Sequence, residues 1–466
     1  LQHFSARISL GGAALVAVVA TWLASSHPFF WDTVQLGAKH ADFFYRTGFA
    51  TWLLPDEMDS GHPPGFGLYL AACWAFFGQS LAVSHWAMLP FVLGILWLGY
   101  AIGRYIAPGW AWLFPWALAA NPVLASQMLL ISPDTVLTAG FLLAAYGLFS
   151  RNNWAQMMGA LILASISTRG MMAVAALYLA GALSWPLPPI RIFARKALPY
   201  VPAGLLALVF LVSHYLAKGW IGYHSSSPWA PSFEGARGWD WLKHAFILGW
   251  RLSDFGLVFA WLAGIAAFAK CRRCIRQGPI ALTARITLFA LALFAPAFLL
   301  YQGLHQHRYL LPVMVGAQFL MLGLLYHSKW TAAWRYLLAG LSLIGPAAGH
   351  FWVYPERIAQ GWDSSLAHWP HYQLRKDVIA FIEQQGIAPE DVGTAFPEIG
   401  PFHYRSLNGE KQGFAAKNLA VQSYIYYSNI MNDFSGQERA VLAKGWEVIF
   451  EAHRGGVSAR LYRAKR

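Results

Sequence analysis

Ser84-His-Trp-Ala-Met-Leu-Pro-Phe-Val-Leu-Gly-Ile-Leu-Trp-Leu-Gly-Tyr-Ala-Ile-Gly103 contains no charged residue and ends against Arg104. A bilayer core of about 30 Å takes roughly 20 apolar residues per helix, so the stretch has the length of one crossing. The cation after it marks a cytoplasmic end. Ten further segments have the same character: 8–25, 109–124, 133–149, 154–168, 170–185, 198–217, 245–268, 279–302, 309–326 and 336–354. The expectation is a polytopic α-helical membrane protein with about eleven transmembrane helices over residues 1–354.

Composition agrees. Of 466 residues, 57% are hydrophobic and only 12% charged, about half the charge of an average soluble domain, and mean hydropathy is +0.42. A disordered chain, a coiled coil and a disulfide scaffold are excluded, and lipid then favours helices because it leaves backbone groups no water to bond. The net charge of +13 does not point to nucleic acid. Residues 1–354 hold 21 Lys/Arg against 9 Asp/Glu, while residues 355–466 hold 13 against 12, so the excess belongs to the hydrophobic part. Positive charge there marks cytoplasmic loops and anionic membrane lipids.

Placing Arg7, Arg104, Arg151, Arg191, Arg195, Lys196, 270–276, Lys329 and Arg335 in the cytoplasm gives a consistent alternation, provided the apolar run 64–78 does not cross. Residues 26–83 then form one external loop with juxtamembrane helices. Ala24-Ser25-Ser26 follows the first run as in a signal peptide, but that run is long and the cleavage signal poor, so it is expected to anchor the chain. Cys271 and Cys274 form a CxxC with no second pair, which reads as part of a basic cytoplasmic loop rather than a metal site. All nine acids before residue 355 fall on the external side of this topology. Residues 355–466, also external, are expected to form a small α/β domain. Helices are predicted over 372–386 and near 436–444, with strands over 391–396, 421–428, 446–452 and 457–463.

Few residues are left to carry chemistry. Asp32, in Phe29-Phe-Trp-Asp-Thr33, lies just beyond the first span, either as a base or as the N-cap of a following amphipathic helix. Asp134, in Ile131-Ser-Pro-Asp-Thr135, opens a span where an acid also suits the helix dipole. His62, in His62-Pro-Pro-Gly65, enters the non-crossing run on an extended Pro-Pro segment, and no metal-ligand spacing recurs near it. The sequence gives a divalent metal no support. Arg169 and Arg308 break the positive-inside pattern in external turns, Arg308 within His305-Gln-His307-Arg-Tyr309, and such cations call for an acid or a ligand phosphate. The loop 218–244 adds His224, Trp229, Trp239 and Trp241, which suit interface anchors or sugar stacking.

Taken in order, Asp32, the stretch ending at Arg46-Thr-Gly48, His62-Pro63-Pro64, Pro133-Asp134 and the Arg-Tyr-Leu-Leu-Pro run at 308–312 resemble the GT-C glycosyltransferases of the protein-mannosyltransferase and aminoarabinose-transferase type. The likeness runs from the first span through roughly residue 326. It implies a bacterial inner-membrane enzyme that moves a sugar from a polyprenyl-phosphate carrier to a lipid, glycan or protein hydroxyl on the external face. Asp32 would be the base and Asp134 a second site acid. His62 would face the lipid phosphate, and Arg308 with Tyr309 would stand near the carrier. Thr33 stands where the family often carries an acid, and Gly61 where some members do.

A phosphate-linked sugar brings its own leaving group, and no P-loop or dinucleotide fingerprint appears in the chain. The reaction needs a base at the acceptor and positive charge at the departing phosphate, roles open to Asp32 and to Arg169, His62, His305 or Arg308. A lipid-sugar flippase is the main rival. Transporters usually show paired halves with charges at the midplane, and neither is visible here.

Overall fold

The computed structural model describes residues 2–183, 189–225, 230–276 and 278–465; Trp229 and the side chain of Arg7 fall outside them. Among the described residues four helices are long and apolar enough to cross a membrane: Leu81–Ile106, Ile190–Lys218, Gly278–Leu300 and His307–His327. Two bent pairs raise the number to six if each is one span. The predicted span 109–124 is broken into Leu113–Ala120 and Pro122–Leu129, because Asn121 turns out of the helix and its side chain caps Val123 and Leu124. Pro122–Leu129 then meets Pro133–Ser150 at 117°, with Pro133 opening the second helix. The predicted span 245–268 is likewise split, into Asp240–Ser253 and Leu257–Lys270 at 88°. Phe255 and Gly256 take positive φ between the two pieces, which ends any continuous helix.

The short helix Gly65–Phe77 begins and ends at one end of the bundle. His62 precedes it at the central cavity, Gln79 after it donates to Asp42, and His85 on the following helix bonds the carbonyl of His27. Three helices lead away from that end: Pro133–Ser150, Thr168–Ala182 and Leu311–His327. The opposite end collects cations. Arg151 follows the first of these helices, His327 bonds the Ile106 carbonyl beside Arg104, Lys270 lies 5.3 Å over the Trp330 ring, and Arg335 donates to Tyr326. Cys271 and Cys274 are joined there as a disulfide, their Cα atoms 5.4 Å apart.

The tail folds as helix Pro370–Gln384 and helix Gly436–Gly445 on a sheet of six strands among the described residues. These are β1 (Val392–Thr394), β2 (Gly400–Pro401), β3 (Gly413–Ala416), β4 (Tyr424–Ser428), β5 (Trp446–Arg454) and β6 (Val457–Ala464), in the order β2-β3-β1-β4-β6-β5. β1 pairs parallel with β3 and β4, and the other pairings are antiparallel. The two short strands β2 and β3 were not predicted, being too brief to show a period of two.

The tail's core includes Phe30 and Trp31 from the segment after the first helix. Beneath the sheet, the buried Glu398 accepts from Arg375 at 2.8 Å and contacts His371 at 3.0 Å and Arg405 at 3.5 Å. Burial works to raise this carboxyl, but Arg375 and Arg405, with His371, hold it well below the usual carboxylate range. A depressed folded pKa contributes stability above the unfolded value and loses it as pH falls through the folded one. Glu398→Gln is therefore expected to destabilise the tail by about 3 kcal/mol at pH 7 and to flatten its acid-unfolding curve below pH ~4.5. Tryptophan fluorescence against pH checks both.

Candidate active site

Asp32 is held by the tail on one side and by its own turn on the other. The Phe29 N–H donates to the Arg405 carbonyl at 2.9 Å, Phe30 stacks on His368 at 4.7 Å, and Trp31 packs edge-on against Phe396 at 4.9 Å. The Thr33 hydroxyl donates to the Phe30 carbonyl at 2.6 Å and accepts from the Phe30 N–H at 3.0 Å, closing the turn. Thr33 thus has a local bond that an acid in its place would lack. The helical stretch that follows has no side-chain cap, so Asp32 is not its N-cap. Its carboxylate instead pairs with Arg308.

Arg308 gathers three acids. Its Nη2 meets Asp32, its Nη1 meets Asp363, and its Nε lies 3.4 Å from Asp134. Asp134 also accepts from Arg169 Nη1 at 2.7 Å. The Tyr309 ring lies under both cations, 4.4 Å from the Arg169 guanidinium carbon and 5.2 Å from that of Arg308. Three carboxylates against two guanidiniums leave one negative charge in excess.

His62 and Arg169 are brought together by close backbone packing. A Cβ on Gly65 would sit 2.4 Å from the Ser165 carbonyl oxygen, and one on Gly170 would sit 1.9 Å from that of Leu163. Both glycines are needed for the helices to approach at this point. The His62 ring then bonds the Thr168 hydroxyl at 3.2 Å. Burial, with Arg169 adding to it, pushes His62 down to about 3, so its ring stays neutral across the physiological range. Gly61 has φ +68°, and a Cβ there would meet the Gly222 carbonyl oxygen at 2.0 Å, so no side chain fits at this position.

A cavity of about 250 Å³ opens beside these groups. Asp32, His62, Arg169, Arg308 and Tyr309 border it, with Phe233, Phe298 and Tyr301 forming an apolar wall. The three acids differ in access: the side chain of Asp32 is 26% exposed, against 3% for Asp134 and 1% for Asp363. Asp32 Oδ1 has no hydrogen-bond partner among the described residues. Arg169, 16% exposed, also borders the cavity.

Two sequence candidates stand apart. The His307 ring contacts Asp254 at 2.7 Å and is fully buried, in a cluster with Arg251 and Tyr354 at the bent pair 240–270. His305 bonds the Phe298 carbonyl at 3.0 Å and packs on His244. Trp239 and Trp241 are exposed at the start of helix Asp240–Ser253, away from the cavity, to which the loop 218–244 instead contributes Ser232 and Phe233. Asp363 was not singled out from sequence. It sits in Trp362-Asp-Ser-Ser365, and Gln127 and Ser126 donate to the backbone carbonyls of Asp363 and Ser365. Burial pushes its carboxyl up against the opposing pull of Arg308. An acid flanked by Trp362 just after the last span was the signal available. Among the described residues no group of three His, Cys, Asp or Glu side chains is arranged to hold a metal ion.

No protein-family model matches this sequence, and no curated protein matches it. Solved structures do. ArnT from Cupriavidus metallidurans bound to undecaprenyl phosphate superimposes with a TM-score of 0.55 at 11% identity, covering 97% of both chains. The apo state of the same protein gives a TM-score of 0.51 at 12% identity, over 97% of this chain and 96% of that one. The shared feature at this identity is the fold.

Proposed function

We propose that this chain, a multi-pass membrane protein with the GT-C fold, transfers a sugar from a polyprenyl-phosphate carrier to a hydroxyl acceptor. The observation that carries the reading is the cavity: Asp32, its one bordering carboxylate among the described residues, faces a space that Arg169 and His62 also border. Asp32 takes the proton of the acceptor hydroxyl as its oxygen attacks the anomeric carbon. The bond from that carbon to the phosphate oxygen breaks, and the electron pair leaves on the carrier phosphate. A single displacement inverts the anomeric centre, and a phosphate needs no proton to leave. Asp32 repels the carrier phosphate and Arg169 attracts it, which suits attack from the opposite face of the sugar. Asp134 and Asp363, both buried, position Arg169 and Arg308 rather than touch substrate. That the ArnT structure named above holds undecaprenyl phosphate supports a lipid-phosphate carrier for this chain.

The same reading gives eleven crossings of the plasma membrane, with the site and residues 355–466 on the external face. The gathering of Arg104, Arg151, Lys270 and Arg335 at the far end of the bundle supports that orientation. The test is transfer from an undecaprenyl-phosphate-linked sugar by the purified protein, with glycosylated product as readout. Arg169→Met is expected to raise KM for the donor by roughly tenfold or more. Carrier movement without glycosylated product would instead establish a flippase.

A further inference from the structure

A second cavity, of about 640 Å³, lies at the opposite end of the bundle. Arg169 and Gly181 belong to one helix, and Phe298 and Arg285 to another, the first of each pair bordering the candidate active site and the second this cavity. At 1.5 Å per residue the two cavities are roughly 18–20 Å apart along the helices. Four cations line the second one: Arg151, Arg195, Lys196 and Arg285.

No acid borders them among the described residues. The sequence has no acid between Asp134 and Glu234, or between Asp254 and Glu356, and these intervals supply every residue of the cavity. Among the described residues none of the four cations makes a salt bridge. Lys196 donates to the Gly181 carbonyl at 3.0 Å and Arg285 to the Leu183 carbonyl, both at the negative end of helix Thr168–Ala182. Arg285 Nε stays buried with no partner. A snorkelling arginine carries its head into water. Arg285 instead lies two turns inside an apolar helix, facing a cavity. Apolar side chains border it as well: Leu148, Leu282 and Ile192, the last exposed on the short helix that carries Arg195. Cations and aliphatic side chains lining one cavity match a phosphate with hydrocarbon attached.

We propose that this cavity binds the phosphate head group of an anionic membrane lipid, its acyl chains lying against Ile192. Phosphatidylglycerol and phosphatidylcholine are offered in turn to the detergent-purified protein, and retained lipid is counted by native mass spectrometry. Inorganic phosphate is tested in parallel by thermal shift. Phosphatidylglycerol is expected to be retained roughly tenfold better than phosphatidylcholine, the scale of one charge-assisted hydrogen bond. The Arg195→Ala/Lys196→Ala protein should lose that preference at an unchanged melting temperature. If the double variant does not fold, Arg151→Ala, at an exposed position, decides in its place. Equal retention of the two lipids, or a preference that survives the substitutions, overturns the proposal. Inorganic phosphate stabilising the protein as strongly as phosphatidylglycerol would assign the cavity to a soluble anion. Lipid retention does not depend on sugar transfer, so this outcome is separate from that of the transferase assay.

Discussion

Asp32→Asn is expected to lower the rate of sugar transfer by roughly 10²–10⁴-fold, the contribution of a general base, while the protein stays folded. Asparagine keeps the shape of the side chain and can still accept from Arg308, but it cannot take a proton. Asp32 is also the least buried of the three acids, so loss of its charge strands no deeply buried partner: Arg308 retains Asp363 and Asp134. Initial rates with a lipid-linked donor, beside a melting curve in the same detergent, check both halves. Near-normal transfer in the variant would remove Asp32 as the base. Asp134→Asn separates the two roles, because a positioning acid should cost stability and donor KM rather than abolish turnover.

Arg308→Met is expected to destabilise the protein by about 3–5 kcal/mol, since it leaves the buried Asp363 without its cation. Asp134 keeps Arg169, so Asp363 is the acid most exposed to the loss. A double-mutant cycle makes the claim specific. Arg308→Met combined with Asp363→Asn should cost about 1–3 kcal/mol less than the sum of the single substitutions, because the second change removes the stranded charge. Melting in detergent measures the cycle, and strict additivity would show that the two residues do not act on each other. Asp363 bonds Arg308 from beyond the last helix of the bundle, so the pair also holds the tail to the site.

Several elements could be read directly from the chain. Segment 84–103 carries its own length and its terminal cation, and the structure gives helix Leu81–Ile106. The tail helix over 372–386 and strands β4, β5 and β6 also fall close to their predicted places. Local pattern failed where a polar residue interrupts an apolar run. Asn121 and the Asp254-Phe255-Gly256 stretch each break a segment of crossing length, because a side-chain cap or a positive φ acts at one residue while hydropathy averages over many.

Asp32, Asp134, His62, Arg169 and Arg308 were visible as scarce ionisable residues in an apolar chain, and scarcity is a property of sequence alone. Their geometry was not. His307 and Arg308 are neighbours, yet in a 3₁₀ turn successive side chains point about 120° apart, so one meets Asp254 and the other Asp32. Asp363 is one of twelve acids in the tail, and its neighbour Trp362 is the one local feature that marks it. Packing of that tail on Phe30 and Trp31, with the bonds from Gln127 and Ser126, brings its carboxylate to Arg308, 55 residues away along the chain. Composition and period therefore determined that helices would form in lipid, since each helix satisfies its backbone within itself. The tertiary structure decided which charges meet, because a charge held away from water must find its partner wherever the fold places one.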